Sequence, residues 1–539
     1  MAVVRERGVL GPVSDASPSR NKFLSLHAQP DDDRPDRMCV TVSDLHFTDG
    51  SVGFQNLPTA VWETFYGDIV GRCKRYGIKE LTVILDGDVV DLIRTDKWAR
   101  KNFYPWQQEE NQGLYKEILK NILTDIVEVR HRDFFEWFQK LPANLMADTD
   151  VADVHTVVLL GNHDKELLND NEVLGYFYEK ALGRHLDSIS EQERRWLGRM
   201  YGDEDRFLDK SIAPFLPFYY GDQGFRYFVT HGQWRDAANN RRIASHNGMP
   251  GWKNSQGWTP EIWQKLGFAP FTESCFGDTV TAGLLSTFLY KTKKVLAEHQ
   301  YNNQTIFSIL DEMDLYRPTY RAAARLLELT RAMRKKREDV EIMRLIEDTM
   351  FESVMMWLKW PQTLAMSSGY FSIVLRLLKY FLLFLKFTHT RLEIPILIGV
   401  FKHFSAPFRW FGLGSDAIAF KTLKSLPAFL PEYQHYGFQL HGEGHTHIPY
   451  EADVNLESKY LPTYVNFGTW RDQIINRRES GYRRRSVLRA FFILDLIDKT
   501  PGNSGQRSFD YHTQDYILWS DKLDDLERGD KEKVEGIKL

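Results

Sequence analysis

Residues 156–164 read Thr-Val-Val-Leu-Leu-Gly-Asn-His-Asp, a short apolar run that ends abruptly in polar residues. A run of β-branched and apolar residues of this kind predicts a buried β-strand. The same pattern occurs twice upstream. The run at 38–43 ends in Asp44-Leu45-His46, and the run at 81–85 is followed by Gly87-Asp88-Val89-Val90-Asp91. Three buried strands, each with a polar cluster at its end, are therefore predicted in this part of the chain.

The pattern continues toward the C-terminus. The run at 225–230 ends in His231-Gly232, and the run at 437–440 precedes Gly444-His445-Thr446-His447. Further strands are predicted at 464–467 and 490–496, and helical spacing of apolar residues predicts helices at 60–76 and 114–140. Buried strands that alternate with helices predict the α/β class, arranged as a sandwich.

The polar clusters carry the residue types of a metal site. Carboxylate, imidazole and amide oxygen ligands without thiolate suit Mn, Fe, Zn or Ni. Side chains alternate along an extended segment, so an Asp-x-His sequence places both ligands on one side. Glycine before Asp88, Asn162 and His445 permits a tight turn or a close backbone approach. Each cluster alone is more often an ordinary turn, and only their joint occurrence at successive strand ends predicts a site.

These five clusters, in this order, resemble the motifs of the calcineurin-like metallophosphoesterase family. The resemblance covers roughly 38–267 and 432–497 and does not extend to the segment between them. It implies a four-layer α/β/β/α sandwich and two divalent metal ions, with Mn favoured over Fe, Zn and Ni. The resemblance assigns seven metal ligands, with Asp88 bridging the two ions: Asp44, His46, Asp88, Asn162, His231, His445 and His447.

The resemblance also implies two catalytic residues that bind no metal. His163 points at the phosphate leaving group, and Asp91 orients it. Two cations about 3.5–4 Å apart lower the pKa of a bridging water, so that hydroxide is available to attack phosphorus. A histidine that titrates near neutral pH is suited to protonate the departing oxygen, and a carboxylate fixes its tautomer. Arg94 and Arg235 follow their motifs closely enough to contact a substrate phosphate, although both also fit solvated surface charges.

Four segments follow from this pattern. Residues 1–37 lack an apolar targeting segment and are predicted to be a flexible tail. The catalytic domain spans 38–267 and 432–520, and a helical insertion at 268–431 interrupts it. Residues 521–539 are predicted to be a charged C-terminal tail.

The insertion contains a strongly apolar part. Residues 359–424 carry nine Lys or Arg against Glu393 and Asp416, and 370–387 is a candidate helix on which Arg376, Lys379 and Lys386 form one stripe. A cationic stripe on an apolar helix suits peripheral membrane contact, here through 370–411, and an amphiphilic substrate. Burial of the helix in the insertion's own core and an oligomer interface are the alternatives.

Composition narrows the class of protein. A formal net charge of -4 argues against a protein that coats nucleic acid nonspecifically. The three cysteines are far apart in the sequence, which indicates neither a disulfide framework nor a thiolate zinc site. We expect a cytoplasmic enzyme, which would be peripheral at a membrane if the apolar segment binds one.

The predicted function is hydrolysis of a phosphomonoester, phosphodiester or pyrophosphate. The alternatives are a membrane-associated hydrolase of a lipid-linked phosphate or pyrophosphate, a nuclease, and a catalytically idle metal-binding regulatory module.

Overall fold

The computed structural model describes most of the two predicted catalytic segments and parts of the insertion. The described residues are 36–55, 57–233, 236, 238–239, 273–301, 304–317, 325, 340–367, 370–388, 426, 429, 436–454, 462–477, 481–497, 507–522 and 534–538. Arg235, the segment 389–411 and nearly all of the predicted N-terminal tail lie outside these residues.

The strands form two mixed sheets, so the protein belongs to the α/β class. The strands are β1 (Arg37–Val42), β2 (Glu80–Asp86), β3 (Asp153–Leu159), β4 (Tyr220–Asp222), β5 (Tyr227–Val229), β6 (Tyr316–Arg317), β7 (Leu440–Glu443), β8 (Pro449–Asp453), β9 (Thr463–Phe467), β10 (Gln473–Arg477), β11 (Gly481–Ile497), β12 (Arg507–Lys522) and β13 (Val534–Lys538). The eight-stranded sheet has the order β13-β12-β11-β1-β2-β3; in addition, β10 pairs with β11, and β6 pairs with β10. The five-stranded sheet has the order β4-β5-β7-β9-β8. Strands β1, β2 and β3 are parallel, as are β5, β7 and β9.

The helices lie between the early strands and in the insertion. They are α1 (Thr59–Tyr76), α2 (Lys97–Lys101), α3 (Gln112–Thr124), α4 (Arg132–Asp148), α5 (Asn171–Lys180), α6 (Glu191–Met200), α7 (Thr287–Glu298), α8 (Gln304–Asp311), α9 (Val340–Lys359), α10 (Pro361–Met366) and α11 (Tyr370–Phe387). None of the helices in the described part of the chain is long and apolar enough to cross a bilayer.

The two sheets share one cluster of buried side chains. The eight-stranded sheet contributes Cys39, Ile84 and Phe491 to this cluster, and the five-stranded sheet contributes Tyr227 and Val465. A larger cluster joins the apolar faces of α1, α3 and α4 to the opposite side of the eight-stranded sheet. Burial of both sides explains why β1 and β2 are almost continuously apolar in sequence.

All seven strands predicted from apolar runs are present, and α1 and α11 match their predicted segments closely. The helical pattern at 114–140 is realised as two helices, α3 and α4, which a π-helical turn at Asp125–Arg130 separates. The C-terminal prediction needs a correction. Residues 534–538 of the predicted charged tail form β13, which pairs with β12 and so covers backbone groups that would otherwise lie at a sheet edge.

The insertion is helical in its described parts, except that β6 pairs with β10 of the larger sheet. A short helical turn at Phe276–Asp278 and a π-helical stretch at Thr279–Ser286 lead into α7. The insertion thus joins the catalytic segments through backbone hydrogen bonds as well as through side chains.

A buried arginine joins the two sheets at the end opposite the polar clusters. Arg37, at the start of β1, donates from Nε to Glu80 Oε1 at 2.9 Å and from Nη2 to Asp222 Oδ2 at 3.0 Å. Its guanidinium carbon also lies 4.3 Å from the centre of the Phe225 ring. Because Arg37 and Asp222 are both almost wholly inaccessible, each depends on the other for charge compensation.

Replacement of Arg37 by methionine is expected to lower the free energy of unfolding by about 3–5 kcal/mol, since Asp222 would stay buried without its cation. Urea unfolding measures this loss. Arg195→Ala, which breaks an exposed i,i+4 pair with Glu191, is the matched control and is expected to cost at most about 0.5 kcal/mol. Equal effects of the two substitutions would contradict the role given to Arg37.

Candidate metal centre

The five polar clusters lie directly after β1, β2, β3, β5 and β7. Parallel strands present their carboxyl ends at the same edge, so the fold brings these clusters together. The loops after β1 and β2 are also joined to each other, because the backbone N–H of His46 donates to the carbonyl of Asp88 at 2.8 Å. The structure therefore brings together the polar clusters that the sequence singled out.

Four predicted ligands converge so closely that their ligating atoms all lie within 4.8 Å of one another: Asp44, His46, Asp88 and His447. His46 Nε2 is 2.9 Å from His447 Nε2 and 3.6 Å from both Asp44 Oδ1 and Asp88 Oδ2. These distances are those expected between neighbouring ligands of a cation whose bonds are about 2.0–2.2 Å long. The four side chains can hold one divalent ion.

His231 extends this group. Its Nδ1 contacts the carbonyl oxygen of Asp86 at 2.7 Å, so Nε2 faces Asp88 Oδ2 at 3.2 Å and Asp44 Oδ1 at 3.9 Å. Within the described residues, His231 Nε2 and Asp44 Oδ1 are buried and have no hydrogen-bond partner. Buried polar atoms are nearly always satisfied in folded proteins, and a cation between these two atoms would satisfy both.

A second group adjoins the first. His445 Nδ1 lies 2.9 Å from Asn162 Oδ1, and the His445 ring is 5.5 Å from that of His231. The other nitrogen of His445, Nε2, lies 3.1 Å from Asp236 Oδ2. A carboxylate on the far nitrogen is the usual means of orienting a metal-binding imidazole. Asp236 therefore turns His445 Nδ1 toward Asn162 and His231.

The backbone at these residues is strained. Among the described residues, eight non-glycine residues have positive φ, and five of them are predicted ligands: Asp44, His46, Asp88, His445 and His447. The left-handed conformation costs a side-chain-bearing residue about 1–2 kcal/mol. Such strain concentrates at functional sites, where the surrounding fold maintains it.

Two of the predicted glycines permit close backbone contact. A Cβ atom on Gly161 would lie 2.2 Å from Asp88 Oδ1, and one on Gly444 would lie 2.3 Å from Asp44 Oδ2. Neither distance is compatible with a real side chain. The close backbone approach predicted at the glycines before Asn162 and His445 is present, and any larger residue there would displace a predicted ligand.

The electrostatics of the site favour positive charge. Burial opposes ionisation of Asp44, yet His231 and His447 hold its pKa well below the usual range. Burial likewise opposes protonation of His231, but Asp88 and Asp44 raise its pKa well above the usual value. The carboxylates thus attract cationic partners even within a buried site, which suits the binding of divalent metal ions.

Asp91 contacts two histidines, His163, which is predicted to be catalytic, and His46, which is predicted to be a metal ligand. Its Oδ1 lies 2.8 Å from His163 Nδ1, and its Oδ2 lies 3.1 Å from His46 Nδ1. Burial alone would raise the pKa of Asp91, but the charges of His163 and Arg94 hold it well below the usual range. Since the Arg94 guanidinium is 3.3 Å from Asp91 Oδ2, a metal ion at Asp91 would be repelled. Asp91 thus lies between the two imidazoles; the resemblance implies that it orients His163.

A chain of buried charges continues from Asp91 into the insertion. Arg94 Nη1 is 3.3 Å from Asp314 Oδ2, and Arg471 Nη2 is 2.5 Å from the same oxygen. Arg471 also donates from Nε to the carbonyl of Phe54 at 2.8 Å. An insertion residue, Asp314, thus neutralises the arginine that contacts Asp91.

The two predicted substrate contacts have different outcomes. Arg94 is 8% exposed and is paired with Asp91 and Asp314, so its position favours support of Asp91 over contact with a phosphate. Arg235 lies outside the described residues, and its contact with substrate stays a prediction.

Several supporting residues were not predicted as parts of the site. Ser43 donates to Asp44 Oδ2 at 2.6 Å, and Thr469 donates to the carbonyl of Asp44 at 2.7 Å. Asn466 donates to the carbonyl of Gly444 at 2.7 Å. Position close to a motif could have identified Ser43 and Asp236, but no local signal marks Asp314.

Comparison with known proteins adds no assignment. No protein-family model, curated protein or solved structure matches the chain. The functional conclusion therefore rests on the residues and their geometry.

Gly161→Ala is expected to reduce bound metal to well below that of the wild type, because the new methyl group would displace Asp88. Elemental analysis of purified protein after equilibration with Mn²⁺ measures the metal content per chain. Gly67→Ala is the matched control: Gly67 lies in α1 with no atom within 4 Å of the added carbon, and alanine there is expected to stabilise the helix by up to about 1 kcal/mol. Full metal content in the Gly161 variant would show that Asp88 is not a ligand.

Proposed function

We propose that the protein is a dinuclear-metal phosphohydrolase that cleaves a phosphomonoester, a phosphodiester or a pyrophosphate. The observation that carries this proposal is the convergence of Asp44, His46, Asp88 and His447 beside the hydrogen-bonded pair of His163 and Asp91. The metal ligands alone fit any metal protein, whereas the oriented histidine next to them fits an enzyme that transfers protons.

The proposal assigns seven ligands to two divalent ions, with Mn favoured over Fe, Zn and Ni. Asp44, His46, Asp88 and His447 would hold one ion. Asp88, Asn162, His231 and His445 would hold the other, and the contacts of His231 with Asp88 and of His445 with Asn162 support this division. The donor set contains oxygen and imidazole nitrogen without thiolate, as these metals prefer.

His163 is proposed to act as the general acid. When bound, the metal ions would neutralise phosphoryl oxygens and make water more acidic. His163 uses Nδ1 to contact Asp91, which leaves Nε2 to carry the proton that the departing oxygen needs. Asp91 stabilises the protonated imidazole and holds its orientation, and Arg94 keeps Asp91 ionised.

The proposed architecture is the four-layer α/β/β/α sandwich of the calcineurin-like metallophosphoesterase family. The buried cluster shared by the two sheets supports the central layers, and helices α1, α3 and α4 support one outer layer. The order of the five motifs along the chain supports membership of that family.

The proposal is tested by measuring turnover of mono-, di- and pyrophosphate substrates with purified protein and Mn²⁺. Asp88→Asn is expected to lower kcat by roughly 10³-fold or more, because several kcal/mol of charge stabilisation depends on the ions that Asp88 holds. Asp150→Asn, at an exposed surface carboxylate, is the control and should keep full activity. If the wild type binds two ions but shows no turnover, a metal-binding regulatory module is favoured instead. A preference for polynucleotide substrates would identify a nuclease, and a preference for lipid-linked substrates would identify a lipid-linked phosphate or pyrophosphate hydrolase.

His163→Ala is expected to keep its metals and to lose roughly 10²–10⁴-fold in kcat on substrates with poor leaving groups. Activated aryl phosphates need less protonation of the leaving oxygen, so their kcat should fall much less. His185→Ala, at an exposed histidine that is not among the proposed ligands, is the matched control. An equal loss of kcat on both substrate types would remove His163 from the role of general acid.

A further inference from the structure

Within the part of the chain that the structure describes, helix α11 (Tyr370–Phe387) packs against the insertion by one side. Its buried residues Val374, Leu375, Leu378 and Leu382 lie on that side. Leu375, Leu378 and Leu382 pack in a cluster with residues of α9 and with the turn that precedes α7, namely Phe276, Val354, Met355, Trp357 and Leu358. The sequence left three interpretations of this helix open: burial in the insertion's own core, contact with a membrane, and an oligomer interface.

The side of α11 that faces away from this cluster is apolar and exposed. Six large side chains there, from 45% to 83% exposed, form what we call the exposed apolar face: Ile373, Leu377, Tyr380, Phe381, Phe384 and Phe387. At about 100° per residue they fall within an arc of about 120°. Across the described residues, six of the nine exposed large hydrophobic side chains belong to this one face. Contiguous apolar exposure of this kind marks an interaction surface.

Basic residues flank the exposed apolar face. Arg376, Lys379 and Lys386 fall within an arc of about 80° that lies between the exposed apolar face and the buried residues. The sequence contains no Asp or Glu between Glu352 and Glu393. Arg376 and Lys386 are exposed and Lys379 is half-buried, so long cationic side chains can reach groups level with the apolar face.

We propose that the exposed apolar face binds an anionic membrane surface, with α11 lying in the plane of the interface. The six apolar side chains would enter the acyl boundary, and the flanking cations would contact lipid phosphates. This proposal goes beyond phosphohydrolase activity and does not depend on it, since no proposed metal ligand lies in the insertion.

Two other partners could cover the exposed apolar face, namely a second copy of the protein and the chain's own segment 389–425. The charge of the flanking residues favours a lipid surface over both. A second copy docked by two-fold symmetry would bring the same face and its cationic flank together, so like charges would oppose the contact. The chain's own segment 389–425 carries Arg391, Lys402, Arg409, Lys421 and Lys424 against two acidic residues, and therefore cannot neutralise the flank. An anionic bilayer complements both the apolar side chains and the cations.

Sedimentation of the full chain with vesicles tests the proposal. Wild type is expected to pellet with phosphatidylcholine vesicles that contain about one third phosphatidylglycerol, and to be released by salt, because each basic residue near an anionic surface contributes measurably. Replacement of Arg376, Lys379 and Lys386 by glutamine is expected to weaken binding roughly 100-fold. The matched control replaces three exposed basic residues elsewhere, Lys74, Arg75 and Lys140, by glutamine and should bind as the wild type does.

A second variant separates the apolar contribution from the charge. Phe381→Ser, Phe384→Ser and Phe387→Ser together should abolish vesicle binding while thermal unfolding and metal content stay as in the wild type, since these side chains are already exposed. Wild type that stays in the supernatant at low salt, or that binds uncharged vesicles equally well, would overturn the proposal. A dimer in light scattering that this variant dissociates, without vesicle binding by the wild type, would assign the face to a second copy instead.

Discussion

Asp44 and Asp88 are buried carboxylates at the ends of neighbouring parallel strands, and both face the imidazoles of His46 and His231; Asp44 also faces that of His447. Two negative charges withdrawn from water are costly unless cations or hydrogen-bond donors compensate them. The surrounding structure is organised by this requirement. His46, His231 and His447 point inward, Ser43 and the backbone N–H of His445 donate to Asp44 Oδ2, and the backbone N–H of His163 donates to Asp88 Oδ1.

The same requirement accounts for the strained backbone. A residue in an ordinary β or α conformation after a strand would direct its side chain above or below the sheet. Positive φ at Asp44, Asp88 and His445 instead turns these side chains toward a common point. Asp164 helps to hold the loops, with Oδ2 3.4 Å from the backbone nitrogens of Val89 and Gly161. Burial, and after it the charge of Asp88, raises the pKa of Asp164 well above its usual range.

The predictions made from sequence succeeded where the chemistry is local. A strand followed within two or three residues by Asp, His or Asn is visible in a short window, and the convergence of the seven proposed ligands follows from the parallel arrangement of strands. Asp314 could not be found in this way, because it contacts a partner 220 residues away. Strands β8, β10 and β12 were missed because they mix polar and apolar residues, as strands with one side open to solvent do. The orientation of α11 was not predictable either: a helix that is apolar on most of its circumference does not reveal which side packs.

Contacts of the insertion with the catalytic segments have a consequence for protein engineering. Asp314 lies between Arg94 and Arg471, and Asp278 lies 2.5 Å from the Nζ atom of buried Lys165, two residues beyond His163. Excision of the insertion with a short linker would therefore leave Lys165 and Arg471 buried without these carboxylates, each at a severe energetic penalty, and would leave Arg94 paired with Asp91 alone. A minimal unit that keeps the candidate metal centre cannot be made by trimming this chain at the motif boundaries. It would require Lys165 and Arg471 to be redesigned together as neutral residues.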